Sequence, residues 1–206
     1  MKFSYASAGV ALALALAGCG GKAQFTVQGT VSGLNNTGLV LANGGSTVTV
    51  PAGATSFTFP QQIDYGSEYN ITIQTQPAHM TCSVGGGSGS AGHTVTIQAQ
   101  VVCNQNTYTL GGQFTGLTAD SAGVARTVIL LNGSAGGALS ISSATASNTT
   151  TGTGGFVFGS NVADGQAYGV TIQTQPTGLT CTLANGSGIM HETPVSNLLL
   201  TCVPTP

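Results

Sequence analysis

Charge is nearly missing from this sequence. Only 4% of its 206 residues are Asp, Glu, Lys or Arg, against roughly a quarter in an average soluble domain. Positive charge is the scarcest: Lys2, Lys22 and Arg126 are the whole supply, and the formal net charge is −2. A nucleic-acid surface needs several Lys or Arg side chains to neutralise phosphates, so binding to DNA or RNA is excluded. Trp is absent and aromatic residues total 6%, which removes most of the flat rings on which sugars stack. No segment carries a sustained helical period. What is present in quantity is Gly, at 32 residues, with dense Ser and Thr, so hydroxyls and amides must hydrate the surface in place of ions. Such a chain would be a disordered polar tract if it lacked apolar residues. Here 41% are hydrophobic, many in alternating runs, which is enough to form cores.

The first nineteen residues, "MKFSYASAGVALALALAGC", hold one basic residue, an apolar run and then small residues ending in Cys. The run from Ala6 to Ala17 is short for a bilayer span, which takes roughly 20 residues, and fits a secretory signal peptide over residues 1–18. The ending "LAGC", Leu16 to Cys19, resembles the lipobox of bacterial lipoproteins. That resemblance implies diacylglycerol on the Cys19 sulfur, cleavage before it, acylation of the new amine, and the lipid bilayer as a partner. Three chains on one residue anchor stably where one chain does not. Residues 19–24 then form a lipidated tether. Gly20 follows the Cys where inner-membrane lipoproteins often carry Asp, so the resemblance places the protein in the bacterial cell envelope, at the outer membrane, periplasmic or surface-exposed.

The rest of the chain is a repeat. "EYNITIQTQPAHMTC" at 68–82 returns as "AYGVTIQTQPTGLTC" at 167–181. Phe57, Phe59, Gly66, Tyr69, Pro77, Cys82, Gly87 and Cys103 recur 99 positions later as Phe156, Phe158, Gly165, Tyr168, Pro176, Cys181, Gly186 and Cys202. Upstream, "GTVSGL" at 29–34 matches "GQFTGL" at 112–117, and "LANG" at 41–44 matches "LLNG" at 130–133. The changing offset requires two insertions in the second copy, near "TADSAGV" and within "SSATASNTTTGTG", both of surface-loop composition. Each copy reads as about seven short strands rich in β-branched residues and punctuated by Gly or Asn. The expectation is all-β: two tandem Ig-like sandwiches, residues 25–104 and 105–206. Removing Cys19 leaves four Cys, for which three pairings exist in an oxidising compartment. The repeat favours Cys82 with Cys103 and Cys181 with Cys202.

In "YNITIQTQP" Tyr69, Ile71 and Ile73 alternate with polar residues, and Pro77 ends the strand because it lacks a ladder donor. Gly66 stands three residues before Tyr69, and Gly165 three before Tyr168. That spacing is the signature of a tyrosine corner, in which the hydroxyl bonds backbone. The surrounding "SFTFPQQIDYGSEYNITI" and "GFVFGSNVADGQAYGVTI" resemble the "GxFxF…L…GxYxV" pattern of carboxypeptidase-regulatory-like and collagen-adhesin B-type domains. That family implies a prealbumin-like sandwich, and the tandem arrangement is similar to bacterial surface lipoproteins. One departure matters: such adhesin domains often hold an isopeptide bond from a core Lys. After cleavage the only Lys is Lys22, in the tether, so that bond is excluded here.

Chemistry is hard to assemble from what remains. His79, His93 and His191 occupy unmatched positions in the two copies, and no His or Cys cluster points to a metal. No nucleophile elbow is present, and "GGGSG" at 85–89 lacks the Lys and helix of a phosphate loop and reads as a hairpin turn. No catalytic residue and no cofactor are implied. The expected role is a non-enzymatic structural, spacer or adhesion module, with envelope proteins or polysaccharide as further partners. The alternative is a carbohydrate-binding module, for which Tyr65, Tyr108, Gln74 and Gln173 are the candidate contacts.

Overall fold

A computed structural model of the chain describes residues 22–93, 96–133 and 137–206; the expected signal peptide over residues 1–18 and Cys19 lie outside them. The first copy contains β1 (Gln24–Phe25), β2 (Val27–Ser32), β3 (Leu39–Asn43), β4 (Ser46–Val50), β5 (Ser56–Thr58), β6 (Ile63–Asp64), β7 (Glu68–Thr75), β8 (Met80–Gly85), β9 (Ser88–Ser90) and β10 (Ile97–Gln105). The second contains β11 (Thr107–Tyr108), β12 (Leu110–Thr115), β13 (Thr127–Asn132), β14 (Ala138–Ser142), β15 (Gly154–Val157), β16 (Val162–Ala163), β17 (Ala167–Thr174), β18 (Leu179–Ala184), β19 (Ser187–Ile189) and β20 (Val195–Pro204). The one helical turn among the described residues, the 3₁₀ turn Ser143–Thr145, sits in the second insertion.

Each copy folds as two four-stranded sheets. In the first the orders are β5-β2-β10-β8 and β4-β3-β7-β9; in the second they are β15-β12-β20-β18 and β14-β13-β17-β19. The first long strand of each copy lies parallel to its last: β2 beside β10, and β12 beside β20. Alternation does the sorting. Along β10, Ile97, Ala99, Val101 and Cys103 are buried while Gln98, Gln100, Val102 and Asn104 face out. The inward residues form one core per copy, Val27 to Cys103 in the first and Leu110 to Cys202 in the second. Phe114, only 1% exposed, is among the largest side chains buried in full, and truncating such a residue to Ala costs about 3–5 kcal/mol.

The disulfides are Cys82–Cys103 and Cys181–Cys202. Both join directly opposite residues of neighbouring strands, β8 with β10 and β18 with β20. Each closes a loop of 21 residues, worth about 3 kcal/mol in the chain-entropy account. Beside each staple runs a glycine with no alternative. Gly33 and Gly116 have φ of 75° and 76°, and a Cβ on either would overlap the carbonyl oxygen of Cys103 or Cys202.

One expectation changes. The "GGGSG" stretch is not a hairpin turn: β8 pairs with β10, whereas β9 pairs with β7, so the chain changes sheets there. The Ile71 amide donates to the Gly87 carbonyl at 2.7 Å, and the second copy repeats this from Val170 to Gly186 at 2.6 Å. A Cβ on Gly87 would stand 2.8 Å from the Ile71 carbonyl, so only glycine lets the chain cross so closely. Tyr69 and Tyr168 pair across strands with Gly89 and Gly188, and their rings lie over those glycines. Each phenol covers a bare backbone and fills the space a side chain would take.

The repeated "TIQTQP" has a structural reason for its second glutamine. The Gln76 side-chain amide donates to the Cys82 carbonyl at 3.1 Å, and its oxygen accepts the Cys82 N–H at 2.8 Å. Gln175 makes the same pair of bonds to Cys181, at 2.9 and 2.8 Å. The side chain stands in for a neighbouring strand along the free edge of β8 or β18, at the disulfide itself. Gln76→Ala and Gln175→Ala should each lower stability by about 1–3 kcal/mol, since both leave a backbone N–H and C=O unpaired. Gln74→Ala should stay within about 0.5 kcal/mol, as expected for an exposed site. Urea unfolding of the three variants checks this.

Candidate functional site

Four titratable residues, His79, Asp164, His191 and Glu192, come together where the two sandwiches meet. Parallel pairing of first and last strands fixes that place. The chain enters the first sandwich beside Val27 and Ile97 and leaves it beyond Gln105, at the opposite pole. The second sandwich begins there, with β11 pairing to β16 at its near pole.

From the far pole of the first sandwich, His79 reaches the near pole of the second. Its Nδ1 lies 3.2 Å from Oδ2 of Asp164, whose side chain is 1% exposed. Oδ2 is fully buried and, apart from this close approach of the imidazole, has no hydrogen-bonding partner among the described residues. The other oxygen, Oδ1, accepts the Glu192 N–H at 2.9 Å. His191 stands edge-on to His79, with ring centroids 6.4 Å apart, and its Nδ1 is 3.8 Å from Glu192 Oε2. Around the pair the backbone is stitched across. Asn106 N–H donates to the His79 carbonyl at 3.0 Å, and Asp164 N–H to the Asn106 carbonyl at 2.9 Å. The Gln105 side-chain amide donates to both the His79 and Asp164 carbonyls, at 2.9 and 3.0 Å.

Backbone strain marks the same spot. His79 has φ 61° and Glu192 φ 53°, two of the three non-glycine residues in the left-handed region among those described. Such a conformation costs a non-glycine residue roughly 1–2 kcal/mol. The second copy shows the relaxed solution, because its residue at the position of His79 is Gly178, with φ 74°. The first copy tolerates the strain where its imidazole meets Asp164. Gly165 completes the fit: a Cβ there would stand 3.1 Å from His79 Nε2, so a bare backbone lets the ring lie flat.

The Asp164 carboxyl is held below its ordinary value of 3.8, first by the Glu192 N–H, then by His79 and His191, with burial opposing them. A depressed carboxylate stabilises the fold above its ordinary pKa, and that contribution is lost as the pH falls through the lower folded value.

The residues singled out from sequence do not converge. Tyr65 is 63% exposed at the entry pole, 6.3 Å from Phe25. Tyr108, at the junction on β11, packs partly buried against the second core. Gln74 and Gln173 are exposed on β7 and β17, one on each sandwich. Cys19 lies outside the described residues. Sequence reading passed over His79 and Asp164. The signal that pointed there was a histidine where the repeat has glycine.

Asp164→Ala should strip the Glu192 amide of its acceptor and raise its hydrogen exchange at neutral pH, while amides inside β10 and β20 keep their protection. In the native protein the same amide should lose protection as the pH drops below about 3.8. Asp164→Asn should flatten that acid limb.

No family model and no curated protein matches the chain. Among solved structures it is similar to the Bacillus anthracis TIE protein, at 12% identity and a TM-score of 0.48. That match covers 87% of this chain and 34% of the other, so the chain spans about a third of that protein's length. It is also similar to the shaft pilin of Lactobacillus rhamnosus GG, at 12% identity over 88% of this chain and 98% of that one, TM-score 0.32. The major pilin of Streptococcus pyogenes is similar at 12% identity, with coverage of 88% and 98% and a TM-score of 0.29.

Proposed function

We propose that this protein is a lipid-anchored, non-enzymatic envelope module, a stiff two-domain spacer that holds its far end away from the membrane. The observation that carries the reading is the strained, strapped junction. Gln105 and Asn106 bind both sandwiches, and His79 keeps a costly backbone conformation where it meets Asp164. Two sandwiches on a loose linker would need none of this, since interdomain motion is the default. Entry and exit at opposite poles let each sandwich add its full length to the stalk. An uncharged Ser/Thr/Gly surface suits a part that keeps other molecules off. The lipobox at Leu16 to Cys19 supplies the anchor, and Gly20 the outer-membrane destination.

The carbohydrate-binding alternative gains nothing from Tyr65, Tyr108, Gln74 and Gln173, which lie at separate places. Its support comes from elsewhere in the molecule.

Cys19→Ala tests the anchor. Expressed in a Gram-negative host, the native protein should partition with membranes and the variant should appear in the soluble envelope fraction. Retention of the variant in the membrane would refute lipid anchoring.

A further inference from the structure

The second sandwich departs from the first at its far pole. Its two insertions converge there, although some twenty residues separate them in sequence. The Ser143 amide donates to the Arg126 carbonyl at 2.9 Å, and the Arg126 amide to Ser143 Oγ at 3.0 Å. The Gly116 and Leu117 amides, at the root of the first insertion, donate to the Thr151 and Gly152 carbonyls of the second. In the first sandwich the corresponding pole is spent on the junction. In the second it carries the added loops.

Arg126 sits at the centre of these loops and is the only Lys or Arg after Lys22. Its Nη1 donates to the Ala119 carbonyl at 3.1 Å and lies 3.5 Å from that of Thr118. Those bonds fix the guanidinium plane and leave the Nε–Nη2 edge over. Gly178 packs beside the guanidinium: a Cβ there would stand 3.2 Å from Nη2, 3.8 Å from Cζ and 4.0 Å from Nε. The position that holds His79 in the first copy is thus bare in the second, and a side chain there would crowd the guanidinium. Among the described residues no carboxylate lies within 4.0 Å of the guanidinium. Asp120 shares the hollow, but its Oδ1 accepts the Ala122 and Val124 amides at 2.9 and 2.8 Å and closes its own loop. The hollow measures about 580 Å³, the size of a small-ligand site.

We propose that this pole binds carboxylate-bearing saccharides, with the Nε–Nη2 edge of Arg126 clamping a uronate. A planar fork fixed by its other nitrogen is built for bidentate carboxylate contact. The rim supplies what a sugar ring needs beside its carboxylate: the exposed hydroxyls of Thr127, Thr174 and Thr177. The Asp120 charge disfavours dense polyanions and leaves room for carboxylates spaced along a sugar chain. One site per chain follows, because in the first sandwich the equivalent pole is covered by the second. The inference does not depend on membrane anchoring.

The test is calorimetric titration of the full chain, in detergent, with a galacturonate hexamer. A neutral glucose hexamer and hexaglutamate serve as comparison probes. The hexagalacturonate should bind one to one, more weakly as salt rises. The neutral hexamer and hexaglutamate should bind at least roughly tenfold more weakly, as should Arg126→Lys, which keeps the charge and loses the fork. Thr177→Glu places a competing carboxylate on the rim without touching the Ala119 and Thr118 bonds, and should lose binding likewise at an unchanged melting temperature. Cys19→Ala should bind as the native chain does, so a failed anchor and a failed site are told apart. Absence of hexagalacturonate binding, its persistence in Thr177→Glu, or equal binding of hexaglutamate would each overturn the proposal.

Discussion

The parallel pairing of first and last strands decides the shape of everything else. Antiparallel neighbours would return the chain to the pole where it entered. Because β2 runs with β10, and β12 with β20, each sandwich takes the chain in at one end and releases it at the other. Parallel pairs usually need a long crossover. Here the crossover is the rest of the sandwich, closed at its end by the disulfide between the last strand and β8 or β18. The staple, the glutamine clamp on the stapled cysteine and the bare glycine against its partner all gather along that closing strand. With so few charges in the chain, backbone hydrogen bonds and covalent closure carry what ion pairs do elsewhere.

A chain built this way has two kinds of pole, and the duplication has treated them differently. At the far pole of the first sandwich the position is a strained histidine, and the pole docks onto Asp164. At the far pole of the second it is a glycine, the inserted loops gather there, and a half-buried arginine lies beside it. The same backbone position serves as a joint in one copy and as an opening in the other. Asp164 has its own history, since its counterpart in the first copy is Tyr65, exposed at the entry pole. What looks like a simple repeat is therefore polarised from entry to tip.

Much of the scaffold was legible in the sequence. Alternation in "YNITIQTQP" named a buried face, and constant spacing paired Cys82 with Cys103 and Cys181 with Cys202. The shift in offset located both insertions. Other features were illegible because they depend on chain crossings that local pattern does not encode. Gly86 and Gly87 read as a hairpin turn, yet they move the chain between sheets. Tyr69 and Tyr168 had the spacing of a corner, but the glycine opposite each ring is decided by strand register. Gln76 and Gln175 lie in the repeated "TIQTQP", and only the fold shows them bound to the cysteine six residues on. The junction was hidden for a further reason: His79 and Asp164 belong to different copies, so a reading that compares copies position by position never sets them side by side.

The central claim is that the two sandwiches move as one elongated body, strapped at His79, Gln105 and Asp164. Residual dipolar couplings of the backbone amides, measured on the whole chain in a weakly aligning medium, test it most directly. A single alignment tensor should fit the couplings of both halves, with its long axis running from Val27 towards Gly178. Two tensors that differ in magnitude and orientation would mean that the halves tumble separately, and the spacer account would fail.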